Sequence, residues 1–163
     1  MTADPIALQI PGLQCPLRLQ VHGVQDQHIS RRIREQGIWE PYETSLLLKL
    51  LGPGGVMVDV GANIGYFTVL AASVVGAEGA VFAFEPDADN FRLLQENLRL
   101  NNCLHNVTAV EAGLAACSGA GQLFLSEDNA GDHQVFATAA QRRCLPISLL
   151  NGSNWFAGKI ARI

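Results

Sequence analysis

Two features of the sequence have the residue types and spacing of a ligand-binding site. The stretch DVGANIGYF places Asp59, Gly61, Asn63 and Gly65 between two apolar runs. Glycines in such a turn permit close backbone approach and tight helix packing, and we expect its free N–H groups to hold an anionic group. The second feature is Glu85, which follows Gly65 by 20 residues and ends an apolar run. An acid at that place is suited to accept hydrogen bonds from ribose hydroxyls.

The glycine spacing separates the candidate ligands. A dinucleotide fold uses G-x-G-x-x-G, and the matching positions here are Gly61, Asn63 and Tyr66, so two of the three glycines are missing. A phosphate-binding P-loop needs G-K-S/T, which the sequence lacks. A ligand with a carboxylate and no phosphate, such as S-adenosylmethionine, fits better. An NAD(P)-dependent oxidoreductase and a turn without a ligand remain the alternatives, and a bare turn does not explain Glu85.

The elements that position these residues follow from the apolar patterns. Strands are predicted for VMVDV, AVFAFE and VTAVEAGLA, and helices between them for IGYFTVLAASVV and ADNFRLLQENLRLNN. The apolar residues of VMVDV occupy both faces, which is typical of a strand covered on both sides. This order predicts an α/β fold with a doubly wound, mainly parallel sheet. Earlier segments predict a strand in PLRLQVHG and helices in DQHISRRIREQG and WEPYETSLLLKLL, while GQLFLSED and RRCLPISLL predict peripheral strands.

Length and composition limit the function classes. The 163 residues are 48% hydrophobic and 16% charged, which indicates one globular domain. We divide it into residues 1–55 before the core, a cofactor-binding core at 56–116 and a peripheral tail at 117–163. The net charge is -4 with 11 Lys and Arg in no long run, so no nucleic-acid partner is expected.

Targeting and metal signals are weak. Residues 60–77 carry no charge, yet Asn63 and three glycines argue against one membrane helix. The N-terminus lacks the basic region of a secretory signal, and Pro11 shortens its apolar stretch. The four cysteines form no C-x-x-C pair and have no histidine at metal-ligand spacing. We therefore expect a cytoplasmic protein with free thiols, no metal and no membrane contact.

Several motifs together resemble the FkbM-type family of S-adenosylmethionine-dependent methyltransferases. The resemblance covers roughly residues 37–134 and is carried by E-P-x-E at Glu40, D-V-G-A-N-I-G at Asp59 and F-E-P at Phe84. The loop DNAGDH, ending at His133, is similar to a further family loop. The resemblance implies a class I methyltransferase (Rossmann-like) fold. It also implies methyl transfer to a hydroxyl of a sugar or small natural product, with S-adenosyl-L-methionine as cofactor.

The resemblance also implies roles for individual residues. The methionine part of the cofactor would be wrapped by the loop, Asp59 would orient that loop, and Glu85 beside Pro86 would hold the ribose. Glu111 and Ala112 would lie near the adenine, and Glu40 would approach the cofactor amino group. Asp132 and His133 are the candidate catalytic bases. The loop residues meant are Gly61, Ala62, Asn63 and Gly65.

The sequence departs from the family pattern after the third strand. The family continues with a strand resembling I-K-I-D-x-Q-G and three further strands, and nothing in NGSNWFAGKIARI matches them. We therefore expect a sheet truncated after its third parallel strand, and a non-catalytic or truncated cofactor-binding remnant is a further alternative. Residues 56–60 would then form an exposed apolar edge, through which copies of the chain are expected to self-associate.

Overall fold

The computed structural model describes residues 4–13, 16–23, 26, 28–126, 133–135 and 143–157. Five helices and eight strands lie in these ranges. The helices are α1 (Ile29–Gln36), α2 (Pro41–Leu50), α3 (Tyr66–Val75), α4 (Ala88–Leu100) and α5 (Gly152–Phe156). The strands are β1 (Ile6–Ala7), β2 (Arg18–Leu19), β3 (Val56–Val60), β4 (Ala80–Phe84), β5 (Val107–Val110), β6 (Gly113–Ala115), β7 (Gly119–Phe124) and β8 (Cys144–Asn151).

The central sheet is parallel, with strand order β3-β4-β5. Helix α3 connects β3 to β4, and α4 connects β4 to β5. The predicted strand–helix–strand–helix–strand order is therefore confirmed. Val60 pairs with Phe84, and Phe84 with Val110, so the carboxyl ends of the three strands meet at one edge of the sheet. Ligands bind beyond this edge in open α/β sheets.

One face of the central sheet forms the main core. Val81 and Ala83 of β4 belong to the same buried cluster as the apolar stripe of α4, and that cluster also includes Leu8 and Leu19 from the N-terminal segment. The stripe consists of Phe91, Leu94 and Leu98. Asp87 caps α4 by accepting a hydrogen bond from the Asn90 N–H. The N-terminal segment thus packs against the helices that support the site.

The other face of the sheet is only partly covered. Phe82 and Phe84 of β4 make edge-to-face contacts with Trp155 and Phe156 of α5, with ring centroids 4.9 to 5.9 Å apart. Beside them, the three valines of β3 remain exposed: Val56 at 40%, Val58 at 43% and Val60 at 60%. Their apolar pattern is typical of a doubly covered strand, but among the described residues β3 pairs only with β4. The expected exposed apolar edge is therefore present.

The third predicted strand ends early. The pattern VTAVEAGLA predicts one strand, whereas β5 stops at Val110 and residues 113–115 form β6 of a second sheet. That sheet has the order β6-β8-β7, with β6 parallel and β7 antiparallel to β8. The two peripheral strands predicted from the sequence are β7 and β8. The strand predicted in PLRLQVHG is only the two residues of β2, paired with β1.

Candidate functional site

The loop between β3 and α3 takes a shape that depends on its glycines. Gly61 has φ 77° and Gly65 has φ 87°, a region that residues with a side chain rarely adopt. A Cβ on Gly65 would lie 2.5 Å from Leu94 Cδ1, whereas a Cβ on Gly61 would meet open space. Gly65 therefore lets α4 pack closely, and Gly61 leaves room at the edge of the sheet, as the sequence predicted.

All five N–H groups of residues 61–65 are donated within the protein. Gly61 and Ala62 donate to the carbonyl of Phe84 at 2.9 and 3.0 Å, and Gly65 donates to the carbonyl of Ala62 at 2.8 Å. Ile64 donates to Asn63 Oδ1 at 2.8 Å, and Asn63 donates to Glu85. The sequence predicted free N–H groups in this turn, and in the structure none of these five is free. The loop is fastened to the end of β4 instead.

Glu85 follows β4 and is 4% exposed. Its Oε2 accepts from the Asn63 N–H at 2.7 Å, and its Oε1 accepts from the Asp87 N–H at 2.9 Å. The Asn90 side chain donates a third hydrogen bond. Burial raises the pKa of Glu85 to about 7, while these hydrogen bonds act in the opposite direction. The predicted pairing of loop and acid is thus a direct hydrogen bond.

Two further predicted acids lie beside the loop. Asp59 Oδ2 accepts a hydrogen bond of 2.6 Å from the Thr68 hydroxyl, which ties the end of β3 to α3. Burial raises the pKa of Asp59 above its ordinary value, and the bond to Thr68 opposes the shift. Glu40 precedes α2 with φ 41°, a left-handed conformation that is unusual for a residue with a side chain. Desolvation, and then Glu43, raise the pKa of Glu40.

A buried contact holds the start of α2 against the loop. Thr44 is 1% exposed, its hydroxyl donates to the Trp39 carbonyl at 2.8 Å, and it lies 3.1 Å from the Tyr66 hydroxyl. Tyr66 is the first residue of α3, directly after the glycine loop. Because Trp39 immediately precedes Glu40, this contact fixes the acid at the edge of the site. Left-handed backbone held in this way is common at functional sites.

These residues surround a cleft of about 710 Å³. Seven predicted site residues line it: Glu40, Asp59, Gly61, Ala62, Asn63, Glu85 and Pro86. His133 lines it as well, and its Nδ1 accepts a hydrogen bond of 3.1 Å from the Ser126 N–H. Asp132, the other predicted base, lies outside the described residues.

The predicted adenine residues lie apart from this cleft. Glu111 lines a second cavity of about 530 Å³, which shares Pro86 and Leu123 with the first. Ala112 is 2% exposed, and its N–H donates to the Val110 carbonyl at 3.0 Å. The two cavities therefore meet at the residue after Glu85.

Sequence reasoning missed several residues of the cleft. His28, Trp39, Phe67 and Asn90 all line it. Of these four, only Trp39 could have been found from the sequence. It directly precedes the E-P-x-E motif, so the helix start that positions Glu40 also positions Trp39. In the sequence, Asn90 has the pattern of an ordinary polar residue of one helix, and His28 lies at the start of another.

The described lining of the cleft is acidic. Glu40, Asp59 and Glu85 contribute carboxyl groups, and no Lys or Arg occurs among the described lining residues. In the ranges that the structure covers, no group of three or more His, Cys, Asp or Glu could hold a metal ion. None of the helices in those ranges has the length and apolar character needed to cross a bilayer.

Comparison with known proteins gives one family match. The family model described as the TRM5/TYW2 methyltransferase domain matches residues 40–123, which is just over half of the chain and includes most of the residues that line the cleft. Hexuronic acid methyltransferase AglP of Haloferax volcanii is 31% identical over 123 residues, which is 71% of this chain and 48% of that protein. Methyltransferase sdnD of Sordaria araneosa is 36% identical over 63 residues, covering 39% of this chain and 24% of that protein.

The chain thus spans between a quarter and a half of the curated relatives that it matches. Among solved structures, Trm5 of Methanocaldococcus jannaschii in complex with adenosine is 21% identical, with a TM-score of 0.44. That match covers 58% of this chain and 26% of Trm5. The family match agrees with the parallel sheet and with the loop that is hydrogen-bonded to Glu85. The chain belongs to the TRM5/TYW2 methyltransferase domain family, whose members are S-adenosylmethionine-dependent methyltransferases of the class I α/β fold.

Proposed function

We propose that the protein transfers a methyl group from S-adenosylmethionine to a hydroxyl oxygen of a sugar or small natural product. The observation that carries the proposal is the glycine loop hydrogen-bonded to Glu85 at the rim of an acidic cleft. The family match names the TRM5/TYW2 domain and not the FkbM type, so the FkbM assignment remains a proposal based on the motifs at Glu40, Asp59 and Phe84.

The charge of the cleft fits this cofactor. S-adenosylmethionine carries a sulfonium, an ammonium and one carboxylate, so its net charge is positive, and the lining offers three carboxyl groups. An NAD(P) pyrophosphate would meet the same carboxyl groups and a loop whose N–H groups at 61–65 are already donated. The oxidoreductase alternative therefore has less support in the site than the methyltransferase.

The cofactor-binding roles predicted from the sequence are kept as part of this proposal. Glu85 accepts three hydrogen bonds from the protein, and a carboxylate can accept about four, so capacity remains for a ribose hydroxyl. Glu40 would approach the cofactor ammonium group, and Asp59, which accepts a hydrogen bond from Thr68, would orient the loop. The second cavity, reached past Pro86, would take the adenine next to Glu111. Gly65 contributes through packing rather than contact.

The bound cofactor would supply an electrophilic methyl group, and the protein must align the acceptor and remove a hydroxyl proton. His133 is the described candidate for this base. Because its Nδ1 accepts from Ser126, the neutral ring carries its proton on Nε2. His133 could therefore act as a base only after the bond to Ser126 opens. Asp132 remains the other candidate.

The acceptor is proposed to be a small hydroxyl compound. AglP, by its name, acts on a hexuronic acid, and this relative aligns with 71% of the chain. The second candidate is tRNA, which is bound in a solved Trm5 complex that is 18% identical to this chain. The acidic lining and the net charge of -4 oppose a polyanion, which usually needs clustered Lys and Arg. Cytoplasmic location remains a proposal that rests on the cysteine pattern.

Titration calorimetry with S-adenosylhomocysteine tests the cofactor, with NADH as the competing ligand. The parent chain should bind S-adenosylhomocysteine and not NADH, and Glu85→Ala and Gly61→Val should weaken binding. A labelled-methyl assay with simple glycosides and with tRNA then tests the acceptor. Binding of the cofactor without transfer to any acceptor would favour the non-catalytic remnant, and no binding by the parent chain would refute the main proposal.

A further inference from the structure

A chain of polar contacts extends from Glu85 into the N-terminal segment. The Asn90 side chain donates to the Glu85 carboxyl group, and Asn90 Oδ1 lies 2.6 Å from His22 Nε2. Asn90 is 1% exposed and lines the cleft, while His22 lies behind it and is only partly buried. His22, Asn90 and Glu85 therefore form a hydrogen-bond network that links the N-terminal segment to the proposed ribose-binding acid.

The direction of these hydrogen bonds follows from the chemistry of the groups. An Asn Oδ1 can only accept, so His22 Nε2 must carry a proton and donate to it. The Asn90 amide nitrogen can only donate, and Glu85 accepts. While Glu85 is ionised it can only accept, so an exchange of the Asn90 O and N would break the bond to Glu85, and one amide orientation preserves both bonds.

The position of His22 is itself fixed by several contacts. The His22 N–H donates to Ser30 Oγ at 3.2 Å, and the Ser30 N–H donates to Asp26 Oδ2 at 2.8 Å. The Arg34 guanidinium donates to the carbonyls of His22 and Gly23. Ser30 and Arg34 of α1 therefore hold the backbone at residues 22 and 23, which carries the imidazole.

We propose that His22 and Asn90 are positioning residues that orient the Glu85 carboxylate for the ribose hydroxyls. The inference rests on the proposed binding of an adenosine cofactor and extends it to residues outside the family motifs. The lone pair of Glu85 that remains for the ligand is directed at the ribose hydroxyls only while the plane of the carboxylate is fixed. Backbone donors from Asn63 and Asp87 each hold one oxygen, and Asn90 adds the donor that selects the rotation of the group.

The test compares paired substitutions. His22→Leu removes the donor to Asn90, whereas His22→Gln retains an N–H near the place of Nε2. Asn90→Asp keeps the shape but turns the donor toward Glu85 into an acceptor. We expect His22→Leu and Asn90→Asp to weaken adenosine and S-adenosylhomocysteine binding about ten-fold, the effect of losing one hydrogen bond to a charged group, and His22→Gln to restore most of it.

A readout specific to the ribose separates positioning from general damage. Binding of adenosine and of 2′,3′-dideoxyadenosine is measured by calorimetry for each variant. Loss of positioning should lower the preference for adenosine, while damage to the fold would weaken both ligands equally. In the Glu85→Ala background, His22→Leu should have almost no further effect on adenosine binding. Equal weakening of both ligands, or additive losses in the double variant, would overturn the inference.

The inference and the proposed function can fail separately. If the parent binds S-adenosylhomocysteine and all His22 and Asn90 variants bind it with the same affinity, the positioning role is refuted and the proposed function stands. If the parent binds no adenosine compound, the proposed function fails. Carbon NMR titration of the Glu85 carboxyl group still tests the support in that case: Asn90→Asp should raise its apparent pKa, and an unchanged titration would refute the contact.

Discussion

The affinity for S-adenosylhomocysteine should depend on pH through Glu85. Burial raises the pKa of this carboxyl group to about 7, and only the ionised form leaves both oxygens available to donors. If the ribose hydroxyls require the anion, binding at pH 5.5 should be about 30-fold weaker than at pH 8.5, or about 2 kcal/mol. Affinity should change little above pH 8, where the group is already ionised.

The same shift has an opposite effect on folding. The pKa of Glu85 is higher in the folded chain than its ordinary value of 4.5, so the folded state binds more protons between the two values. The free energy of unfolding should therefore fall as the pH rises from about 4.5 to 7, by roughly 3 kcal/mol, and this contribution should be constant above that range. Cofactor affinity and stability should thus move in opposite directions.

Calorimetric titrations from about pH 5.5 to 8.5 measure the affinity, and urea unfolding from about pH 4.5 to 8.5 measures the stability. Glu85→Gln should bind weakly at every pH and lose the pH dependence. Asp59→Asn is the matched control, because burial also raises the pKa of Asp59, and it should retain the Glu85 transition. A parent affinity that is flat across this range, or a slope that persists in Glu85→Gln, would refute the assignment.

Three further predictions follow from the packing. Gly65→Ala combines a left-handed φ with a 2.5 Å contact and should lower the free energy of unfolding by about 2–4 kcal/mol. Gly61→Ala meets open space and should lower it by only about 1–2 kcal/mol. Equal losses in urea unfolding would contradict this prediction. Asn97→Leu removes three fully buried hydrogen bonds and should cost about 3 kcal/mol in thermal unfolding, against less than about 1 for the exposed contacts of Asn101→Leu; similar costs would show that burial is not decisive. Val58→Lys should reduce self-association through the β3 edge, and an unchanged mass in light scattering of an associating parent would exclude that edge.

The parts of the site that depend on local sequence were predictable. The loop and Glu85 were found from their spacing because neighbouring parallel strands end at the same edge of the sheet. The close packing at Gly65 was also inferred, since a helix that follows such a turn must pass near its neighbour.

The parts that depend on distant partners were not predictable. The end of β5 at Val110 is decided by β8, which pairs with β6 and draws residues 113–115 into a second sheet. The role of Asn90 depends on the side chains of Glu85 and His22, which lie 5 and 68 residues away in the sequence. The helical pattern around Asn90 therefore does not indicate these contacts. The exposed face of β3 likewise shows the same apolar pattern that a covered strand would have.

Asn63 distinguishes this loop from a dinucleotide-binding loop. It has φ 52°, which asparagine tolerates better than most residues. Its side chain accepts the Ile64 N–H, and its own N–H bonds Glu85. A glycine there would keep the backbone shape but leave the Ile64 N–H free to meet a phosphate. The asparagine therefore occupies an N–H group that could otherwise bind an anion, and we expect the carboxyl groups of the cleft to select a cationic ligand.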